Sequence, residues 1–165
     1  MVALAALVLA AGCGGVDRAG PPAGATVERV VDGDTIVLAD GRRVRLVQID
    51  APEVAERECY SRGSTAALRR LLPDGVRVEL QPDPALDDVD RYGRLLRYVR
   101  RGGTNINLTL VRNGAAAPYF FDGDRGRYAG ELLDAAREAR HAERGLWRAC
   151  PRTQLDPDRS VETLR

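Results

Sequence analysis

The sequence predicts an α+β fold, a small five-stranded β-barrel with about three α-helices. Three observations predict it. Short β-rich runs separated by Gly, Pro and Asp turn signals fill residues 26–101. One helix-forming stretch interrupts those runs and two more follow them. The chain has 165 residues, 44% of them hydrophobic, which fits one core of this size and not two full domains.

The elements follow in order. TVERVV from Thr26, a turn at Asp32-Gly33-Asp34, TIVLA, the Asp40-Gly41 hairpin signal and RRVRLVQI read as a three-stranded meander. Pro52 breaks the third strand. Ser64 to Leu72 (STAALRRLL) carries helix formers and ends at Pro73-Asp74-Gly75. VRVELQ and RLLRYVRR are strands four and five, joined by the acidic loop PDPALDDVDRYG. Asn105 to Arg112 sets Ile106 and Leu110 on one helical face before the Asn113-Gly114 C-cap signal. After AAAPYFF, residues 127–144 place Tyr128, Leu132, Ala136 and Ala139 at helical spacing, and Gly145 stops the run. Five short strands with one helix inserted and two appended match a Greek-key barrel of the OB type better than a sandwich or a doubly wound sheet. Pro151 to Arg165 has no apolar period and is expected to be disordered.

Residues 1–13 read as an export signal. The apolar run MVALAALVLAA is too short for the roughly 20 residues that span a bilayer. It ends in Ala10-Ala11-Gly12-Cys13, which resembles the bacterial lipoprotein cleavage box and makes Cys13 a lipidation candidate, although no positive residues precede the run. A buried apolar N-terminal strand or helix is the alternative reading. Residues 14–25, rich in Gly and Pro, form a flexible linker. Cys59 and Cys150 then remain as an even pair in an exported domain, which favours a disulfide over two unrelated thiols.

The 25 cations, all arginine, face 24 carboxylates for a net charge of +1, so no global basic field draws in polyanions. With no lysine anywhere, arginine alone carries little meaning and position must distinguish the important ones. His141 is the single histidine, which argues against a Ser/His/Asp triad and excludes a His-rich metal site. No P-loop or dinucleotide fingerprint occurs. What remains is carboxylates at strand ends, Asp32-Gly33-Asp34 and Asp50-Ala51-Pro52-Glu53. Taken singly these are ordinary turn and strand-stop sequences. Brought together they suit a hard cation such as Ca²⁺, which takes its ligands from carboxylates, carbonyls and water.

GDTIVL, RVRLVQIDAPE, DRYGRLLRYV and a final helix ending GLW, in this order and approximate spacing, resemble the staphylococcal nuclease (thermonuclease) family over Thr26 to Cys150. IDAPE and DRYGR carry most of the resemblance. It implies a nuclease domain over residues 26–150, a Ca²⁺-dependent phosphodiesterase on an OB barrel that acts on single-stranded DNA and RNA as a monomer and leaves 3′-phosphorylated products. By resemblance, Asp34 and Asp50 are metal ligands, joined by the Ala51 carbonyl. Arg45 and Arg94 clamp phosphate. Glu53 is a general base or holds a water, and the residues do not separate those roles. Tyr92 and Tyr119 contact substrate, whereas Phe121 stands where a second tyrosine is expected, and the stretch from Glu53 to Cys59 is short for the family. Two other classes remain open: a non-catalytic OB module that binds single-stranded nucleic acid or a protein partner, and a lipid-anchored envelope protein that binds Ca²⁺ only for stability.

Overall fold

The three leading runs become β1 (Ala25–Val30), β2 (Thr35–Leu38) and β3 (Arg43–Leu46) in the computed structural model, which describes residues 24–163. The leader, Cys13 and nearly all of the linker lie outside the described residues; β1 begins at the linker's last position, Ala25, which is buried. The remaining elements are β4 (Ile49–Asp50), α1 (Ser61–Leu71), β5 (Arg77–Gln81), β6 (Leu95–Arg101), β7 (Thr104–Asn105), α2 (Ile106–Arg112), β8 (Ala117–Pro118), a 3₁₀ turn at Phe121–Gly123, α3 (Ala129–His141) and α4 (Leu146–Ala149).

Antiparallel pairing runs β3-β2-β1-β5-β6, and a parallel pair between β3 and β6 closes the ring into a five-stranded OB-type barrel. Closure sets Val44 against Leu95, Arg45 against Leu96 and Leu46 against Arg97. Buried Asn107 fastens the seam: its side chain accepts from the Val99 N–H at 3.0 Å and donates to the Val47 carbonyl at 2.9 Å. Val27, Ile36, Val44, Leu46 and Val99 fill the barrel, and Leu68, Leu72, Leu110, Phe120 and Leu132 pack the helices onto it. Each such side chain contributes about 1.5–3 kcal/mol by burial.

The third run does not continue as one strand. Gln48 turns into the left-handed region at φ 64°, and β4 leaves the barrel to pair with β8, Ile49 against Pro118 and Asp50 against Ala117. That detour carries Asp50 away from the barrel ladder to the site. Helix α1 begins at Ser61, three residues before the expected start, and the final GLW forms its own short helix, α4.

The segment expected to be disordered beyond Cys150 is packed as far as Thr163. Thr153, Val161 and Thr163 are buried, and the Phe120 N–H donates to the Pro157 carbonyl at 2.7 Å. The segment runs as an irregular strap with turns at 151–152 and 157–159, held by single buried side chains and backbone hydrogen bonds, so it needs no apolar period to be ordered. Cys59 and Cys150 are joined by a disulfide, with their Cα atoms 6.0 Å apart.

Candidate active site

Two turns meet at the mouth of the barrel because glycine lets them. A Cβ on Gly33 would sit 2.5 Å from the Ala51 Cβ and 2.9 Å from the Ser64 Cβ, so the Asp32-Gly33-Asp34 turn presses directly on the end of β4 and on α1. Contact of that closeness excludes any side chain. Asp34 is thereby buried, at 3% exposure, with its Oδ2 accepting the Ala51 N–H at 2.9 Å and its Oδ1 accepting the buried Thr35 hydroxyl at 3.1 Å.

Arg45, from β3, lies between the aspartates. Its Nε is 3.1 Å from Asp34 Oδ1 and its Nη2 is 2.7 Å from Asp50 Oδ1. Its Nη1 donates to the Leu46 and Ile49 carbonyls, at 2.7 Å each. A planar fork with four fixed partners has one orientation. Asp50 Oδ2 in turn accepts the Val161 N–H at 2.9 Å.

Acidity exceeds its compensation here. Burial pushes the Asp34 carboxyl up to about 7 despite the Arg45 charge, and Asp32 and Asp50 push it in the same direction. Burial also raises Asp50, against Arg45 and the Val161 N–H. Glu53 is raised by partial burial and by Asp32 and Asp50. One guanidinium therefore faces four carboxylates, and a divalent cation would supply the missing charge. Among the described residues no three acidic, histidine or cysteine side chains form a cage. A cation here would rest on Asp34, Asp50 and main-chain oxygen such as the Ala51 carbonyl, with its other positions left to water and substrate. Hard, open, oxygen-only donors of this kind fit Ca²⁺.

The barrel seam brings in the second arginine. Parallel pairing puts Arg45 beside Leu96, and Arg94, two residues earlier, falls on the same side as Leu96. Arg45, Leu96 and Arg94 accordingly line one cavity of about 380 Å³ with Tyr92, Tyr119 and Phe121. Asp90 orients Arg94 by accepting from its backbone N–H at 2.9 Å and its Nε at 2.7 Å. Those bonds hold the Asp90 carboxyl below its ordinary value although burial opposes them. Among the described residues no acceptor meets the Arg94 Nη atoms, which leaves them for a ligand.

The aromatic wall is exposed and propped. Tyr92 is 64% and Phe121 60% exposed, with the Arg94 guanidinium 5.4 Å from the Tyr92 ring centroid. Buried Gln48 holds the 119–126 segment: its carbonyl accepts the Tyr119 N–H, its Oε1 the Gly126 N–H, and its Nε2 donates to the Asp124 carbonyl.

The structure thus gathers Asp34, Arg45, Asp50, Ala51 and Glu53 at one barrel end, and Arg94, Tyr92 and Tyr119 on the cavity that Arg45 also lines. Phe121 joins that wall, whereas Phe120 between the two faces the core. Asp32 belongs to the predicted turn, whereas the parts played by Thr35, Gln48, Glu58, Asp90 and the strap carry no signal in the sequence. Glu58 Oε2 accepts the Glu53 N–H at 2.6 Å.

Known proteins are similar to this chain in sequence. The family model described as Staphylococcal nuclease homologue matches residues 43–149. The chain is 40% identical over 125 residues to a protein named as an uncharacterized endonuclease in Escherichia coli O157:H7, a match covering 73% of this chain and 74% of that one. It is 33% identical over 129 residues to a thermonuclease of Staphylococcus intermedius, covering 73% and 74%. It is 39% identical over 138 residues to a micrococcal nuclease of Shigella flexneri, covering 73% and 71%. With a family match over more than half its length, on a closed barrel whose mouth joins the acidic turns to two arginines, the chain belongs to the staphylococcal nuclease family and is a nuclease.

Proposed function

We propose that the chain is a calcium-dependent endonuclease that cleaves single-stranded or loosely paired DNA, and RNA, to 3′-phosphorylated products. The observation that supports this most directly is Arg45, which joins Asp34 to Asp50 and lines the same cavity as Arg94 and Tyr92. Asp34, Asp50 and the Ala51 carbonyl would hold the cation. When bound, Ca²⁺ supplies positive charge to a phosphate oxygen and a template for the reacting groups. A site with two carboxylates belongs in the weak range, near 10⁻⁴ to 10⁻³ M.

Hydrolysis builds negative charge on the non-bridging phosphate oxygens, and donors already aimed there lower the barrier. Arg45 is fixed by four partners and Arg94 by Asp90, so neither has to be ordered when substrate arrives. Arg94 offers its Nη edge as a fork to two oxygens, a geometry lysine cannot copy. Glu53 receives a proton from the attacking water or holds that water in place. Its raised carboxyl brings it closer to the working pH of a base than an exposed glutamate. Tyr92, Tyr119 and Phe121 stack bases, at about 1–3 kcal/mol per base, without reading their edges. Such a wall tolerates either sugar and any sequence.

We further propose export, with lipid attachment at Cys13 and a monomeric catalytic domain. Radiolabelled palmitate should enter the intact chain; incorporation into a Cys13→Ala variant contradicts anchoring there. Catalysis is tested by incubating the chain with single-stranded DNA in Ca²⁺ or in chelator and identifying product ends. Calcium-dependent fragments with 3′-phosphates are expected. Equal cleavage in chelator, or 5′-phosphate ends, contradicts the proposed chemistry.

A further inference from the structure

The strap beyond Cys150 crosses the molecule to the expected metal ligand, and its contacts there are made by backbone. It starts from the disulfide at Cys150, with the Thr153 N–H bonded to the Cys150 carbonyl at 2.9 Å. Leu155 packs against the hydrophobic clusters on both sides of it, and Pro157 accepts the Phe120 N–H. Val161, buried beside Cys59 and Trp147, then donates its N–H to Asp50 Oδ2 at 2.9 Å. Two residues on, the Thr163 hydroxyl donates to the Cys59 carbonyl at 2.8 Å and the Thr163 carbonyl accepts the Cys59 N–H at 3.5 Å, next in the chain to Glu58. Glu58 is the group whose Oε2 accepts the Glu53 N–H.

We propose that residues 151–163 are a positioning element of the active site: the Val161 N–H fixes the Asp50 carboxylate, and Thr163, bonded to the Cys59 backbone, holds the end of the 53–59 segment in which Glu58 anchors Glu53. This rests on the reading of Asp50 as a cation ligand and Glu53 as the water-activating group. Asp50 sits on a two-residue strand with no barrel ladder to stiffen it. With Arg45 on Oδ1 and Val161 on Oδ2, its carboxylate plane is set, and the lone pairs left over point in fixed directions. Partners that orient a ligand in this way are worth about 10- to 100-fold in metal affinity. Val161→Pro removes the N–H together with a packed valine side chain, so positioning is read from Ca²⁺ affinity and packing from a core substitution elsewhere.

The test uses the full chain and Ca²⁺ alone as the probe, followed by calorimetry, with cleavage of single-stranded DNA measured beside it. Val161→Pro should weaken Ca²⁺ binding by about 10- to 100-fold and lower kcat. Val78→Ala, a core substitution in β5, should lower the melting temperature without changing Ca²⁺ affinity. Wild-type Ca²⁺ affinity in Val161→Pro overturns the inference, as does an equal loss of affinity in Val78→Ala. Should Val161→Pro fail to fold, the unaltered chain decides by amide exchange and chemical shift. A protected Val161 N–H that shifts on Ca²⁺ addition supports the inference, and a freely exchanging one that ignores Ca²⁺ overturns it. If wild type binds Ca²⁺ without cleaving, the nuclease chemistry fails while the Asp50 half of the inference stands on affinity alone. If it binds none, both fall together.

Discussion

Asp34, Arg45 and Asp50 form a buried three-membered charge group in which no member can be removed without exposing the others' cost. Arg45→Ala would leave two aspartates facing each other across desolvated space, and breaking a buried pair in this way costs about 3–5 kcal/mol. Its melting temperature should therefore fall well below wild type, and a near-normal value would show that the group does not carry the charge balance described here. The pH response follows from the same burial. An aspartate with an ordinary value of 3.8 raised to about 7 in the fold binds an extra proton in the native state between those pH values. Its contribution to stability is full below about pH 4 and lost as pH rises to about 7. Asp50, Glu53 and Glu58 shift in the same direction, whereas Asp83 and Asp90, held low, act below that window. Cation-free protein should thus melt at lower temperature near pH 7 than near pH 5, and Ca²⁺ should restore more stability at the higher pH, because its ligands must be deprotonated. Thermal melts at both pH values, with chelator and with Ca²⁺, read this directly; a melting point that rises across the interval contradicts it. At this scale the sequence was informative about identities and silent about partners. Asp34, Arg45 and Asp50 were legible from their motifs, but that Arg45 Nη1 bonds two carbonyls follows from the local path of residues 46–49, which no side chain announces.

Elements position these residues by a few irregularities. The left-handed turn at Gln48 redirects the third strand, so that Asp50 pairs beside Ala117 and Tyr119 follows two residues on. Gly33 permits the approach of its turn to Ala51. Gly33→Ala should push those turns apart, lowering stability by roughly the 1–3 kcal/mol of an overpacked core and weakening Ca²⁺ binding with it. Unchanged stability and affinity would mean that the turn has room to move. The Cys59–Cys150 bridge spans a sequence separation of 91, which in the loop-entropy view stabilises by about 4–5 kcal/mol. Reductant should lower the melting temperature of wild type and leave a Cys59→Ala, Cys150→Ala variant unaffected; equal effects on both would deny the bridge. The strands and the three main helices were readable from period and turn chemistry. The strap was not, because residues 151–163 are held by isolated contacts at Pro157, Val161 and Thr163 and carry no repeating pattern for a periodicity argument to find.

The whole molecule is a closed ring whose last pairing does the functional work. Joining β3 to β6 in parallel brings residues 45 and 94 to one side of one cavity. Composition contributes little to this, since a net charge of +1 spread over 25 arginines distinguishes none of them. What made the barrel legible was the order of strand runs, and what made the site legible was the combination of IDAPE with DRYGR; the distance between them in sequence is erased by register, which sequence alone does not state. The most direct test of the account is the initial rate of single-stranded DNA cleavage in saturating Ca²⁺ by wild type, Arg94→Ala and Glu53→Gln, each confirmed folded. Removing one donor from a developing phosphate charge should slow Arg94→Ala by about 10²- to 10³-fold, and Glu53→Gln should fall by about 10²-fold or more. Cleavage undiminished in either variant would contradict the convergence of these side chains on one scissile bond.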